Sequence, residues 1–106
     1  MIEVKIEITY SKERIKEIIK ETFPEQPQLA LAVFSCESGL NPKAVGPTND
    51  YGLAQIHSPS WDKRAKALGY HNYKTDVKEN LAMARHIYND AGKTFNPWVC
   101  YTHKMI

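Results

Sequence analysis

At 106 residues, with 42% hydrophobic and 25% charged side chains, the chain has the length and balance of one globular domain, residues 1–106, built on a single modest core. Its formal net charge of +2 is spread over interspersed acids and bases, which excludes the dense basic footprint of a nucleic-acid binder. No run approaches the roughly 18 apolar residues of a membrane span, and Cys36 and Cys100, the two cysteines, lack the Cys-x-x-Cys spacing of a zinc or thioredoxin-like site.

Residues 2 to 9 alternate Ile2, Val4, Ile6 and Ile8 with Glu3, Lys5, Glu7 and Thr9, the period-two pattern of a half-buried strand, so residues 1–10 read as a strand or a linker. Ser11 is placed to cap a helix over 12–22, in which Ile15, Ile18, Ile19 and Thr22 recur at helical spacing until Pro24 stops it. Pro27 opens a second helix that is apolar on most sides as far as Ser38, and is therefore expected to be central and buried, with Gly39 and Pro42 ending it. Residues 40–58, rich in Asn, Pro, Gly and Thr, predict an irregular segment with a small hairpin around Pro47-Thr48-Asn49-Asp50. A third helix is expected from Ser60 to Gly69. Asp76 followed three residues later by Glu79 predicts a reciprocal cap for a fourth helix, with Val77, Leu81, Ala84, Tyr88 and Ala91 on one face until Gly92. Asn96-Pro97 then restarts a short turn or helix carrying Trp98, Val99, Cys100 and Tyr101. The chain has no internal repeat and no low-complexity segment.

One carboxylate sits oddly in this pattern. The apolar run Leu29-Ala30-Leu31-Ala32-Val33-Phe34 leads into Cys36-Glu37-Ser38-Gly39. At the carboxyl-terminal end of an apolar helix, burial and the negative end of the helix dipole both raise the pKa of a glutamate, which suits a general acid. Position alone favours an ordinary surface residue, because Ser38-Gly39 begins the exposed turn. Cys36 and Cys100 likewise either pair or lie apart as two buried thiols; a bond would stabilise the chain by about 3–5 kcal/mol in an oxidising compartment.

Downstream stretches bear on both questions. Glu37-Ser38-Gly39, then Asn41-Pro42 and Ala44-Val45, then Tyr51-Gly52-Leu53-Ala54-Gln55-Ile56, then Glu79-Asn80-Leu81-Ala82 resemble, in order and spacing, the lytic transglycosylase domains of the lysozyme superfamily over residues 28–101. The resemblance implies a mainly α, lysozyme-like α+β fold, in which a central buried helix carries the catalytic glutamate beside helices and a small irregular hairpin segment. It implies a muramidase that cleaves the β-1,4 linkage between N-acetylmuramic acid and N-acetylglucosamine, with Glu37 as acid/base. Ser38 and Tyr51, within the matching motifs, are expected as substrate contacts, Gln55 matches a contact for a sugar amide, and Asn80 a residue forming the floor near the glutamate. Tyr101 matches the family tyrosine that touches the glutamate; Cys100-Tyr101-Thr102 stands where many members have Ala-Tyr-Asn, and Ala54 replaces a Met.

In such domains Glu37 would protonate the glycosidic oxygen and then take a proton from the sugar's primary hydroxyl, leaving a 1,6-anhydro end. A retaining glycosidase instead needs a second carboxylate about 5 Å away, and an inverting one about 6.5–9.5 Å. Asp50-Tyr51-Gly52-Leu53 also resembles the Asp-Tyr-Gly-Ile stretch of animal-type lysozymes, so a hydrolase using Glu37 and Asp50 is the alternative, with Asp50 otherwise a turn residue. A low-turnover peptidoglycan-binding module and a plain helical interaction domain are the readings from other classes. His57 follows the Gln-Ile motif toward the cleft, while His71, His86 and His103 show no metal-site spacing and His86 is expected in solvent. Tyr88 is expected in the core with its hydroxyl reaching the cleft, and Trp61 and Trp98 are expected to pack rather than stack on sugars.

If Glu37 and Tyr101 meet as the resemblance implies, Cys36 and Cys100 are brought near each other as well, and a disulfide is expected. The resemblance further implies peptidoglycan glycan strands as partner, to which a mildly cationic surface is suited, no metal or organic cofactor, and a monomer. Met1-Ile2-Glu3-Val4-Lys5 shows no signal peptide, so an extracytoplasmic location, secreted, periplasmic or wall-associated, follows from function.

Overall fold

The computed structural model describes residues 9–104; the alternating stretch expected as a strand lies, except for Thr9, outside the described residues. Among these, five α-helices and one two-stranded sheet enclose a single hydrophobic core, the mainly helical architecture expected.

Helix α1 (Lys12–Thr22) begins where Ser11 accepts a hydrogen bond from the Arg14 N–H at 3.1 Å, and buries Ile15, Ile18 and Ile19. Phe23 and Pro24 turn the chain into α2 (Pro27–Ser38), which has proline in its first turn. This helix buries Ala30, Val33 and Phe34 but exposes Gln28, Ala32, Ser35 and Cys36. It is therefore not enclosed on all sides: the small residues at 32, 35 and 36 lie on an exposed strip, whereas the larger Leu29 and Leu31 pack against the core.

Strands β1 (Asp50–Tyr51) and β2 (Ile56–His57) are antiparallel, with Asp50 opposite His57 and Tyr51 opposite Ile56. The turn expected around Pro47–Asp50 is present, closed by Gly46 N–H donating to the Asp50 carbonyl at 2.8 Å and by a bridge between Val45 and Tyr51. A second tight turn at 52–55 follows, so the segment folds back twice. Helix α3 (Ser58–Ala67) starts two residues earlier than expected, leaving Pro59 in its first turn.

Helix α4 (Val77–Asp90) is capped by Asp76, whose carboxylate accepts from Glu79 N–H at 2.9 Å. The cap is not reciprocal. The Asp76 N–H donates to the Asn72 carbonyl, and the Glu79 side chain accepts from Asn72 N–H at 3.0 Å, so Glu79 braces the preceding loop instead. A short α5 (Val99–Lys104) closes the described chain. Helix α1 packs on α2 and α4, and α5 packs on α2. Between them Phe95 is a hub: its ring lies 4.8 Å from Tyr88, 5.4 Å from Phe23 and 5.6 Å from Trp98.

Candidate active site

Glu37 lies in the last turn of α2. Gly39, at φ 63°, ends that helix by donating its N–H to the Ser35 carbonyl, and Leu40, at φ 60°, turns the chain again. A leucine in the left-handed region is strained by about 1–3 kcal/mol; its burial in the core holds it there. The chain thus leaves α2 sharply, and Glu37 stays at the edge of an open space instead of being covered by its own continuation.

That space is a cavity of ≈ 330 Å³. Glu37 forms one part of its wall. Thr48, Asp50, Gln55, Ile56 and His57 contribute from the hairpin, Trp61 from α3 and Ile87 from α4, with Pro97, Trp98 and Val99 before and at the start of α5. One Glu37 oxygen, Oε2, accepts from the Cys100 backbone N–H at 3.2 Å. Cys100 is in the first turn of α5, where N–H groups have no partner within the helix, so the glutamate supplies one. Burial pushes the Glu37 carboxyl above the ordinary carboxylate range. The Cys100 N–H and, more weakly, Lys104 act against that rise, and the negative charge of Asp50 adds to it.

The Cys36–Cys100 disulfide joins the residue before Glu37 to the residue that binds it, with Cα atoms 6.0 Å apart. Asp50 is held by His57 Nδ1 at 3.0 Å and by the Thr48 hydroxyl. The Gln55 amide donates to the carbonyls of Ala44 and Gly52 at 3.1 and 3.0 Å, which stabilises its own backbone at φ 49°. Gln55 therefore lines the cavity while bracing both turns.

Of the residues singled out by sequence, the cavity brings together Glu37, Asp50, Gln55 and His57. Others stand elsewhere. Ser38 Oγ donates back to the Phe34 carbonyl at 3.0 Å, within its own helix. Tyr51 turns its ring to the Lys74 ammonium, 4.7 Å from the centroid. Asn80 does not face the cavity: it is 1% exposed, its oxygen accepts from Ala54 N–H at 2.9 Å, and its amide donates to the Tyr51 and Tyr73 carbonyls. Its part is to hold the hairpin from beneath. Tyr88 is in the core, 1% exposed, and its hydroxyl accepts from Gln26 Nε2 at 2.8 Å, at the start of α2 and away from the cavity lining. Tyr101 is half-buried against Phe95, outside the lining, and the group that meets Glu37 is the preceding residue's N–H. His86 is half-buried against Tyr70, whose hydroxyl lies 3.2 Å from its Nε2, and is not free in solvent.

Trp98 packs as expected, with Nε1 donating to the Ala54 carbonyl at 2.8 Å, yet it and Trp61 also line the cavity. Thr48, Ile87, Pro97 and Val99 were not legible as lining residues. Val99 is 60% exposed in a helix-opening turn, an apolar residue with no core to join.

Among the described residues no helix is long and apolar enough to cross a membrane. Compared with known families, the chain matches the model described as a transglycosylase SLT domain over residues 15–102. No curated protein and no solved structure matches it.

Proposed function

The chain belongs to the transglycosylase SLT domain family, and from that premise we propose that it cleaves the β-1,4 linkage between N-acetylmuramic acid and N-acetylglucosamine with Glu37 as general acid and base. Domains of this family act on peptidoglycan outside the cytoplasm by lytic transglycosylase-type cleavage. The observation that carries the finer reading is the setting of Glu37: half-buried at the edge of a cavity, with its pKa raised by desolvation and one oxygen held by the Cys100 N–H.

A protonated Glu37 gives its proton to the glycosidic oxygen as the bond to the muramyl C1 breaks. The resulting carboxylate then removes the proton from the C6 hydroxyl of the same sugar, whose oxygen closes on C1 to leave a 1,6-anhydro end. A group that must donate and then accept is best served by a pKa moved toward the working pH, which is the direction burial drives Glu37.

Hydrolysis is the second reading, and the observation in its favour is that Asp50 lines the same cavity and acts electrostatically on Glu37. Mass spectrometry of muropeptides released from purified peptidoglycan separates the two. Transglycosylation predicts anhydro ends; reducing ends in their place would assign the chain to hydrolysis. Binding without release would sink both.

A further inference from the structure

Asp50 and His57 are opposite one another in the β1–β2 ladder, so the backbone pairing that forms the hairpin also sets their side chains together. His57 Nδ1 lies 3.0 Å from Asp50 Oδ1, and the Thr48 hydroxyl donates to Oδ2. A carboxylate that only accepts requires the neutral ring to carry its proton on Nδ1. Nε2 is then left with a lone pair and no partner among the described residues, on a side chain that is 42% exposed and lines the cavity. Asp50 is the more enclosed of the two, at 22%. Backbone also closes on it: a Cβ at Gly46 would come 3.2 Å from Asp50 Oδ2 and 2.6 Å from Gln55 Oε1. A carboxylate with both oxygens engaged is placed to orient an imidazole.

We propose that Asp50 is a positioning residue that presents His57 Nε2 to the glycan as an acceptor for a sugar hydroxyl or acetamido N–H, and is not a second catalytic carboxylate. This rests on the peptidoglycan-cleaving reading and names the donor-bearing sugar group that the hairpin wall would recognise.

The test separates binding from turnover. Affinity for soluble peptidoglycan strands is measured in a Glu37→Gln background, with Asp50→Ala, His57→Ala and both together; kcat is measured for Asp50→Ala with Glu37 intact. Asp50→Ala and His57→Ala should each weaken binding by about tenfold, the double variant should be no weaker than either, and His57→Gln, which restores an acceptor, should recover part of the loss. Asp50→Ala should keep kcat within about threefold. Thr48→Val, which removes one of the two donors to Asp50, should weaken binding in the same sense but less. Strands carrying an acetate ester in place of the acetamide, which keep the carbonyl and lack the N–H donor, identify the sugar group: loss of the His57→Ala effect assigns the acetamido N–H, and its persistence assigns a hydroxyl. An Asp50→Ala variant that binds normally but loses kcat by about a hundredfold or more would overturn the proposal, as would a His57→Ala variant with wild-type affinity. Failure of the parent reading shows separately, as wild-type release by Glu37→Gln alone.

Discussion

Glu37, the proposed acid and base, illustrates how such a role would cost stability. Burial raises its pKa, so between the ordinary glutamate value and the folded value the native state binds more protons than the unfolded chain, and stability falls as pH rises through that window. Glu37→Gln keeps the acceptor for Cys100 N–H and removes the charge. It should therefore melt higher than wild type at pH 7, with the difference vanishing below the ordinary glutamate pKa; an unchanged or lower melting temperature at pH 7 would contradict the burial. Asn80 shows the opposite case, a polar residue used wholly for structure. Asn80→Ala strands an N–H and two carbonyls and should cost about 2–4 kcal/mol in denaturant unfolding. Gly52→Ala should be similarly damaging, since at φ 78° its Cβ would lie 2.4 Å from the Asn80 amide. At this scale the sequence located Glu37 through its helix and the residues after it. It could not say that Asn80 or Tyr88 turns away from the cavity, because each orientation is set by partners remote in the chain: Ala54 26 residues from Asn80, and Gln26 62 residues from Tyr88.

The elements divide by how local their causes are. Helices α1, α2 and α4 start where Ser11, Pro27 and Asp76 place them, and α2 ends at Gly39, because caps and proline act within one turn. The reciprocal cap on α4 failed for a tertiary reason, the capture of Glu79 by the Asn72 N–H. Helix α5 is the least autonomous: six residues cannot sustain a helix alone, and it is held by the disulfide and by Trp98 and Cys100 packing inward. The bond closes a sequence separation of 64 residues. Replacing both cysteines with serine should lower stability by about 4 kcal/mol in the chain-entropy model. A loss below about 1 kcal/mol in equilibrium unfolding would mean that packing alone docks α5.

Over the whole molecule, one aromatic core supports the cavity from behind. Phe23, Phe34, Tyr88 and Phe95 pack ring against ring, and Trp98 belongs both to that cluster and to the cavity wall. Composition made a single helical core legible, but Phe95 as its centre was not, since an isolated aromatic between Thr94 and Asn96 carries no periodicity. On the surface, Arg85 reaches the corner between α1 and α2, forming 2.6 Å hydrogen bonds to both Glu25 oxygens and holding that carboxyl at about 2. These contacts fix α2 at its amino-terminal end as the disulfide fixes it near Glu37, the carboxyl proposed to meet the glycan. The most direct measurement is the rate of muropeptide release from purified peptidoglycan by wild type and by folded Glu37→Gln. Loss of general acid and base predicts a fall of about a hundred- to ten-thousandfold; release by the variant at a rate near that of wild type would contradict the assignment of Glu37.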